Sequence, residues 1–186
     1  MKKNLLLTAA VLIGFAVNGY SQNTFVKNDK VLNFGIGIGN TLYSGSGYTS
    51  KTPPLSVSFE MGVKDQLFDE KSSLGIGGYI GYSGAKWEYY DWGWKYSNFI
   101  IGVRGIGHYQ LLNKVDTYTG IMIGYDVVNA SEFGTTYGTA TYSATSSGIV
   151  WSWFAGGRYY FNDKFAAFAE IGYGIAYLNL GLTMKF

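Results

Sequence analysis

The last nine residues, Leu178–Phe186, restrict what this chain can fold into. They read Leu-Asn-Leu-Gly-Leu-Thr-Met-Lys-Phe. Leu178, Leu180, Leu182, Met184 and Phe186 share one face of an extended segment, and Asn179, Gly181, Thr183 and Lys185 share the other. A strict period of two is the pattern of a β-strand with one apolar and one polar face. The segment reads as the closing strand of a β-barrel.

A length of 186 residues points to one domain. Its start reads as an export signal. Lys2 and Lys3 give a basic opening, Leu5–Val17 is uncharged and mostly apolar, and Gly19-Tyr20-Ser21 supplies a small-x-small cleavage site. Residues 1–21 are therefore assigned to a cleaved signal peptide and 22–186 to the barrel domain. The apolar run is short for a membrane-spanning helix. Cleavage removes two lysines and no acid, leaving twelve basic against twelve acidic residues. A neutral chain lacks the basic patch that a nucleic-acid partner selects. With no cysteine, the chain has no disulfide and no lipid-modified amino-terminal cysteine.

The same alternation recurs along the chain. Strands are expected at about 31–42, 55–63, 73–84, 96–111, 117–128, 148–161, 165–173 and 178–186, after a polar lead-in at 22–30. The 27 glycines and 34 aromatic residues fit such strands, because glycine makes room inside a barrel and aromatics sit outside. Ile100 and Ile106 break the alternation of the fourth strand, which implies a bulge or a partly apolar interior. Long connections follow the first, third and fifth strands (43–54, the aromatic tip, and 129–147), and shorter turns follow the second, fourth and sixth. Ten strands stay open if the long loops hide a further hairpin.

Charge decides which face meets lipid. The apolar faces hold no charged residue, whereas the opposite faces carry Glu60, Arg104, Asp126, Arg158, Glu170 and Lys185. A basic residue on a lipid face costs about 2–4 kcal/mol at mid-membrane. Outward apolar faces in hydrocarbon explain the segregation, and a soluble calyx would invert it. Alternation alone does not separate the two. Three features favour the membrane: the long-short alternation of connections, aromatics near strand ends (Tyr82, Tyr109, Tyr125, Tyr159, Phe161, Phe165, Phe186), and strands of spanning length.

The signal, the eight amphipathic strands and the ending Leu180-Gly181-Leu182-Thr183-Met184-Lys185-Phe186 resemble the small outer-membrane β-barrel proteins of the OmpX/OmpA-barrel type. The resemblance covers essentially all of residues 22–186. It implies an all-β fold, an eight-stranded antiparallel transmembrane up-and-down barrel in the cell outer membrane. It also implies that Leu182, Met184 and Phe186 form an assembly signal read by the barrel-assembly machinery. The chain is expected to stop at the barrel, without the peptidoglycan-binding domain of longer relatives.

An eight-stranded barrel is just wide enough for its own side chains to fill. The six inward charges are expected to pair into a lumen network, with Arg158–Glu170 as the first pair and Arg104 meeting Glu60 or Asp126. His108, the one histidine, is expected in the lumen near the periplasmic end, with no nucleophile to make it catalytic. No metal or cofactor site is expected. Trp87, Tyr89, Trp92, Trp94 and Tyr96 form an aromatic extracellular loop; they share a face if the third and fourth strands extend past the membrane, and they either stack on a ligand or stabilise their own hairpin. The leading functional reading is a non-enzymatic outer-membrane barrel, envelope-structural or acting at the surface through its loops. Its partners would be outer-membrane lipid and an unidentified surface ligand. A narrow or gated porin-like channel is the alternative, and a lipid-modifying enzyme is a weaker one.

Overall fold

The computed structural model describes residues 24–43, 46–134 and 142–186. The signal-peptide assignment lies outside the described residues. Eight antiparallel strands close into one barrel in sequence order: β1 (Lys30–Asn40), β2 (Ser50–Asp65), β3 (Ser72–Tyr89), β4 (Trp92–Leu112), β5 (Val115–Gly134), β6 (Ser143–Tyr160), β7 (Phe165–Gly172) and β8 (Ala176–Lys185). The alternating carboxy-terminal segment does close the ring. Phe34 pairs with Leu182 and Leu32 with Met184, and the Phe186 amide donates to the Lys30 carbonyl. Among the described residues there is no further strand, and the extra length lies within the eight.

Period-2 alternation becomes geometry through the strand register. Ile76 on β3 lies in a row with Met61, Gly105, Ile121 and Trp153. The next outward rows run through Gly78, Ile80 and Tyr82. None of the four carries a charged side chain on β2 to β6. Most of their residues are exposed on the outer wall, with Val103 67% and Trp151 75% accessible. Water penalises such an apolar belt, whereas hydrocarbon satisfies it, and the closed ring leaves no unpaired sheet edge in lipid. Below the belt stand Tyr109, Tyr159, Phe161, Phe165 and Phe186, all outward and exposed. The fold and its outer wall are those of a transmembrane β-barrel.

The strands depart from expectation above the belt. The loop expected at 43–54 is shorter, because β2 begins at Ser50 and absorbs Pro53 and Pro54 at a register shift between Thr52 and Leu55. That irregularity accommodates residues that cannot donate to a ladder. The expected aromatic loop is strand. β3 continues seven residues past Tyr82, about 20 Å at the usual rise per residue. It turns at Tyr90–Asp91 and returns as β4. β5 reaches Gly134 and β6 starts at Ser143, so most of the 129–147 loop is also wall. Ile100 and Ile106 point inward with the register unbroken on both sides, so the interior is partly apolar and there is no bulge there.

Glycines let inward rings lie flat on the wall. A Cβ on Gly181 would strike the Phe34 carbonyl and the Phe168 ring, and one on Gly120 would strike the Gly105 carbonyl and the Phe154 ring. Small residues opposite large ones are how a narrow barrel fills its taper.

Candidate functional site

Two regions hold chemistry: the filled bore and the rim beyond the belt. The bore is closed at the short-turn end by the lead-in, which is not merely a tether. Residues 24–29 fold back into the opening. Phe25 is buried and stacks on His108 with ring centroids 4.1 Å apart, and its carbonyl accepts from the Ser73 hydroxyl. Lys185 holds this segment, donating to the Thr24 carbonyl and lying 3.1 Å from Asp29 Oδ2. Lys185 thus serves the plug and takes no part in the deeper network expected for it.

Above the plug sits an ionic cluster. Arg158 donates through Nη2 to Glu60 and through Nη1 to Asp116 Oδ2 at 2.9 Å. His108 places Nε2 against Glu60 and Nδ1 2.9 Å from Asp116 Oδ1. Each ring nitrogen faces a carboxylate, so neither is free to draw a proton from a hydroxyl. Arg158 also lies over the Tyr118 ring at 4.5 Å. Buried charges are retained where they are paired and hydrogen-bonded, as here.

The next layer corrects the expected pairing. Arg158 does not meet Glu170. The register puts Arg158 opposite Phe168 and Glu170 opposite Gly156, while the Arg158 side chain turns to the carboxylates at the short-turn end. Glu170 is taken by Arg104 at 2.6 Å, and Arg104 lies flat on Phe154 at 3.5 Å. Arg104 therefore meets neither Glu60 nor Asp126. Asp126 has no cation among its described partners. It accepts from Asn98 Nδ2 at 2.6 Å, and Asn98 accepts in turn from the Tyr43 hydroxyl. Tyr43 comes from the loop after β1 and covers the other mouth. Asp116, read from sequence as a turn residue, is a buried inward group and was missed. Its partner His108 was the available signal, because a lone inward histidine needs polar company.

At the rim, strand register puts the five aromatics together. Trp87 pairs with Trp94, Tyr89 with Trp92, and Tyr96 with Ala85. All five share the face that continues the inner wall upward. Trp87 and Trp92 meet edge to face at 5.5 Å, and Trp92 Nε1 donates to Glu132 on β5. The outer face of the same wall carries Lys86, Glu88, Lys95 and Phe133.

No family model matches the sequence, and neither does any curated protein. Solved structures do. Ail, the attachment invasion locus protein of Yersinia pestis, in complex with the heparin analogue sucrose octasulfate, superposes with TM-score 0.51 at 11% identity, over 86% of this chain and 96% of that one. The N-terminal β-barrel domain of Pseudomonas aeruginosa OprF gives 0.44 at 12% identity, over 86% and 98%. Neisserial surface protein A gives 0.41 at 14% identity, over 85% and 95%. The likeness to Ail, together with the uncharged outer belt, gives this chain the fold of the small eight-stranded outer-membrane β-barrels.

Proposed function

We propose that this protein is a non-enzymatic outer-membrane barrel whose working part is the sheet that stands above the membrane. The observation that carries the reading is the extension of β3 and β4 past the Tyr82 row, with Trp87↔Trp94 and Tyr89↔Trp92 on one face. Spanning needs only about 9–11 tilted residues, whereas β4 has 21. Aromatic faces of this kind supply most of the binding energy where a surface meets a partner. The filled bore is the anchor and contributes to the envelope as a rigid plug. The bore layers give a channel no support, and the engagement of both His108 nitrogens gives an enzyme none. Assembly through Leu182, Met184 and Phe186 belongs to the same reading, supported by their alternation on the closing strand.

The test uses whole cells displaying the wild-type chain or Trp92→Ser/Trp94→Ser, passed over immobilised neutral and sulfated oligosaccharides. The heparin analogue in the Ail complex is a reason to include the sulfated class. Retention of the wild type on one class, lost in the variant at equal surface amount, supports the reading. Equal behaviour of the two across the whole panel sinks it.

A further inference from the structure

We propose that the outer face of the rim holds the phosphate headgroup of an outer-leaflet lipid between Lys86 and Lys95. The inference rests on the membrane reading above and adds a site to it.

On the outer wall, Leu55, Tyr82, Phe99 and Val127 form one row, the last apolar one. The row above is Thr52, Gly84, Ser97, Asn129 and Thr145, all polar or glycine. The row above that is Ser50, Lys86, Lys95 and Ser131. The change from hydrocarbon chemistry to hydrogen-bonding chemistry thus takes one step, at the level where lipid chains end and headgroups begin.

Lys86 and Lys95 are directly opposite each other across the β3–β4 ladder. Like charges in that position repel and weaken the pairing. Glu88 neutralises one of them, at 2.8 Å from Lys86 Nζ. Among the described residues Lys95 forms no ion pair, and its ammonium lies over the Phe133 ring at 5.2 Å beside that of Lys86 at 4.5 Å. One positive charge is left over at a place where it opposes folding, and an anion lodged between the two removes that cost.

The space for it exists. A cleft of about 440 Å³ opens on this face, lined by both lysines with Thr52, Ser97, Asn129 and Ser131. Gly84 contributes no side chain, which keeps the floor of the cleft low. Hydroxyl and amide donors surround the two ammonium groups, as phosphate oxygens require. Tyr82 also lines the cleft and belongs to the apolar row beneath. An occupant therefore has cations above and a path down to exposed Leu55 and Phe99. A lipid carrying a phosphate fits both halves, whereas a free phosphate uses only the upper one.

The full chain is refolded into phosphatidylcholine nanodiscs doped with diphosphorylated lipid A or with its dephosphorylated form, and retained lipid is counted by native mass spectrometry. The expected result is retention of the phosphorylated lipid, reduced at least about tenfold in Lys86→Gln/Lys95→Gln and kept in Lys86→Arg/Lys95→Arg. Inorganic phosphate is expected not to displace it. Equal retention by the glutamine variant, equal retention of the dephosphorylated lipid, or displacement by inorganic phosphate overturns the lipid site. The heat-induced gel shift of each sample reads the barrel itself. A shifted, seated barrel without phosphate preference overturns the site alone, and an unshifted soluble chain overturns the membrane reading with it.

Discussion

Arg104 on β4 and Glu170 on β7 meet across the bore, Nη2 2.6 Å from Oε2, with more than nine-tenths of each side chain buried. They are 66 residues apart in sequence and on strands that do not touch. The pair spans the barrel like a strut, with the guanidinium laid on Phe154. Removing one end leaves an uncompensated buried charge, which costs about 3–5 kcal/mol. Glu170→Ala is expected to destabilise by that amount in urea titrations of the refolded barrel. Arg104→Leu/Glu170→Leu is expected to recover most of the loss, because two apolar groups of similar size need no partner. A double variant as unstable as the single one would show that the strut acts by shape and not by charge.

Asp116 and Asp126 separate two kinds of inward acid. Asp116 takes hydrogen bonds from both Arg158 and His108, and its loss leaves Glu60 alone with both. Asp126 accepts from an amide. Asp116→Ala is expected to cost about 3–5 kcal/mol and Asp126→Ala about 1–3 kcal/mol, read from the same urea midpoints. The reverse order would mean that the ionic cluster contributes little beyond packing.

These pairings mark the limit of what the sequence shows. Alternation identified the eight strands and which side chains face inward, since Glu60, Arg104, Asp126, Arg158 and Glu170 all do. It did not identify partners, because an arginine reaches across the bore or along it. Arg158 stands next to the β7 strand that carries Glu170, yet its side chain turns to Asp116, directly opposite it on β5, and to Glu60. Asp116 looked like a turn residue because it stands two positions from Lys114, whose φ of 63° makes the turn. The β3–β4 extension was legible only as a condition, the one under which the five aromatics share a face, and for another reason. Above the membrane both faces of a strand are wet, so Trp87–Tyr96 loses the apolar-polar contrast that marks the spanning part, and only its partner strand reveals it.

The bore is expected to conduct no ions. Residues 24–29 close one mouth, the Glu60–Arg158–Asp116–His108 cluster lies behind them, Arg104–Glu170 crosses above, and Tyr43 covers the other mouth. Planar-bilayer recordings on the refolded protein should show no unitary steps. Deleting residues 22–29 removes Phe25 from His108 but leaves the two ionic layers, so it should open nothing. Steps that appear on that deletion alone would make the lead-in a gate and the layers behind it permeable.

Phe186 separates stability from assembly. Its ring is exposed on the outer wall, 6.3 Å from Phe59, while its backbone amide and carbonyl pair with Lys30. Phe186→Ala keeps the backbone ladder and loses one ring from the lipid-facing girdle, a change of about 1–2 kcal/mol. In purified refolding, the variant should reach nearly the wild-type yield of heat-shifted band. In cells, a machinery that reads the terminal aromatic should leave much of the variant unfolded or degraded, with Phe186→Tyr close to normal. If yield in cells matches yield in the tube for all three chains, Phe186 acts only as a girdle residue.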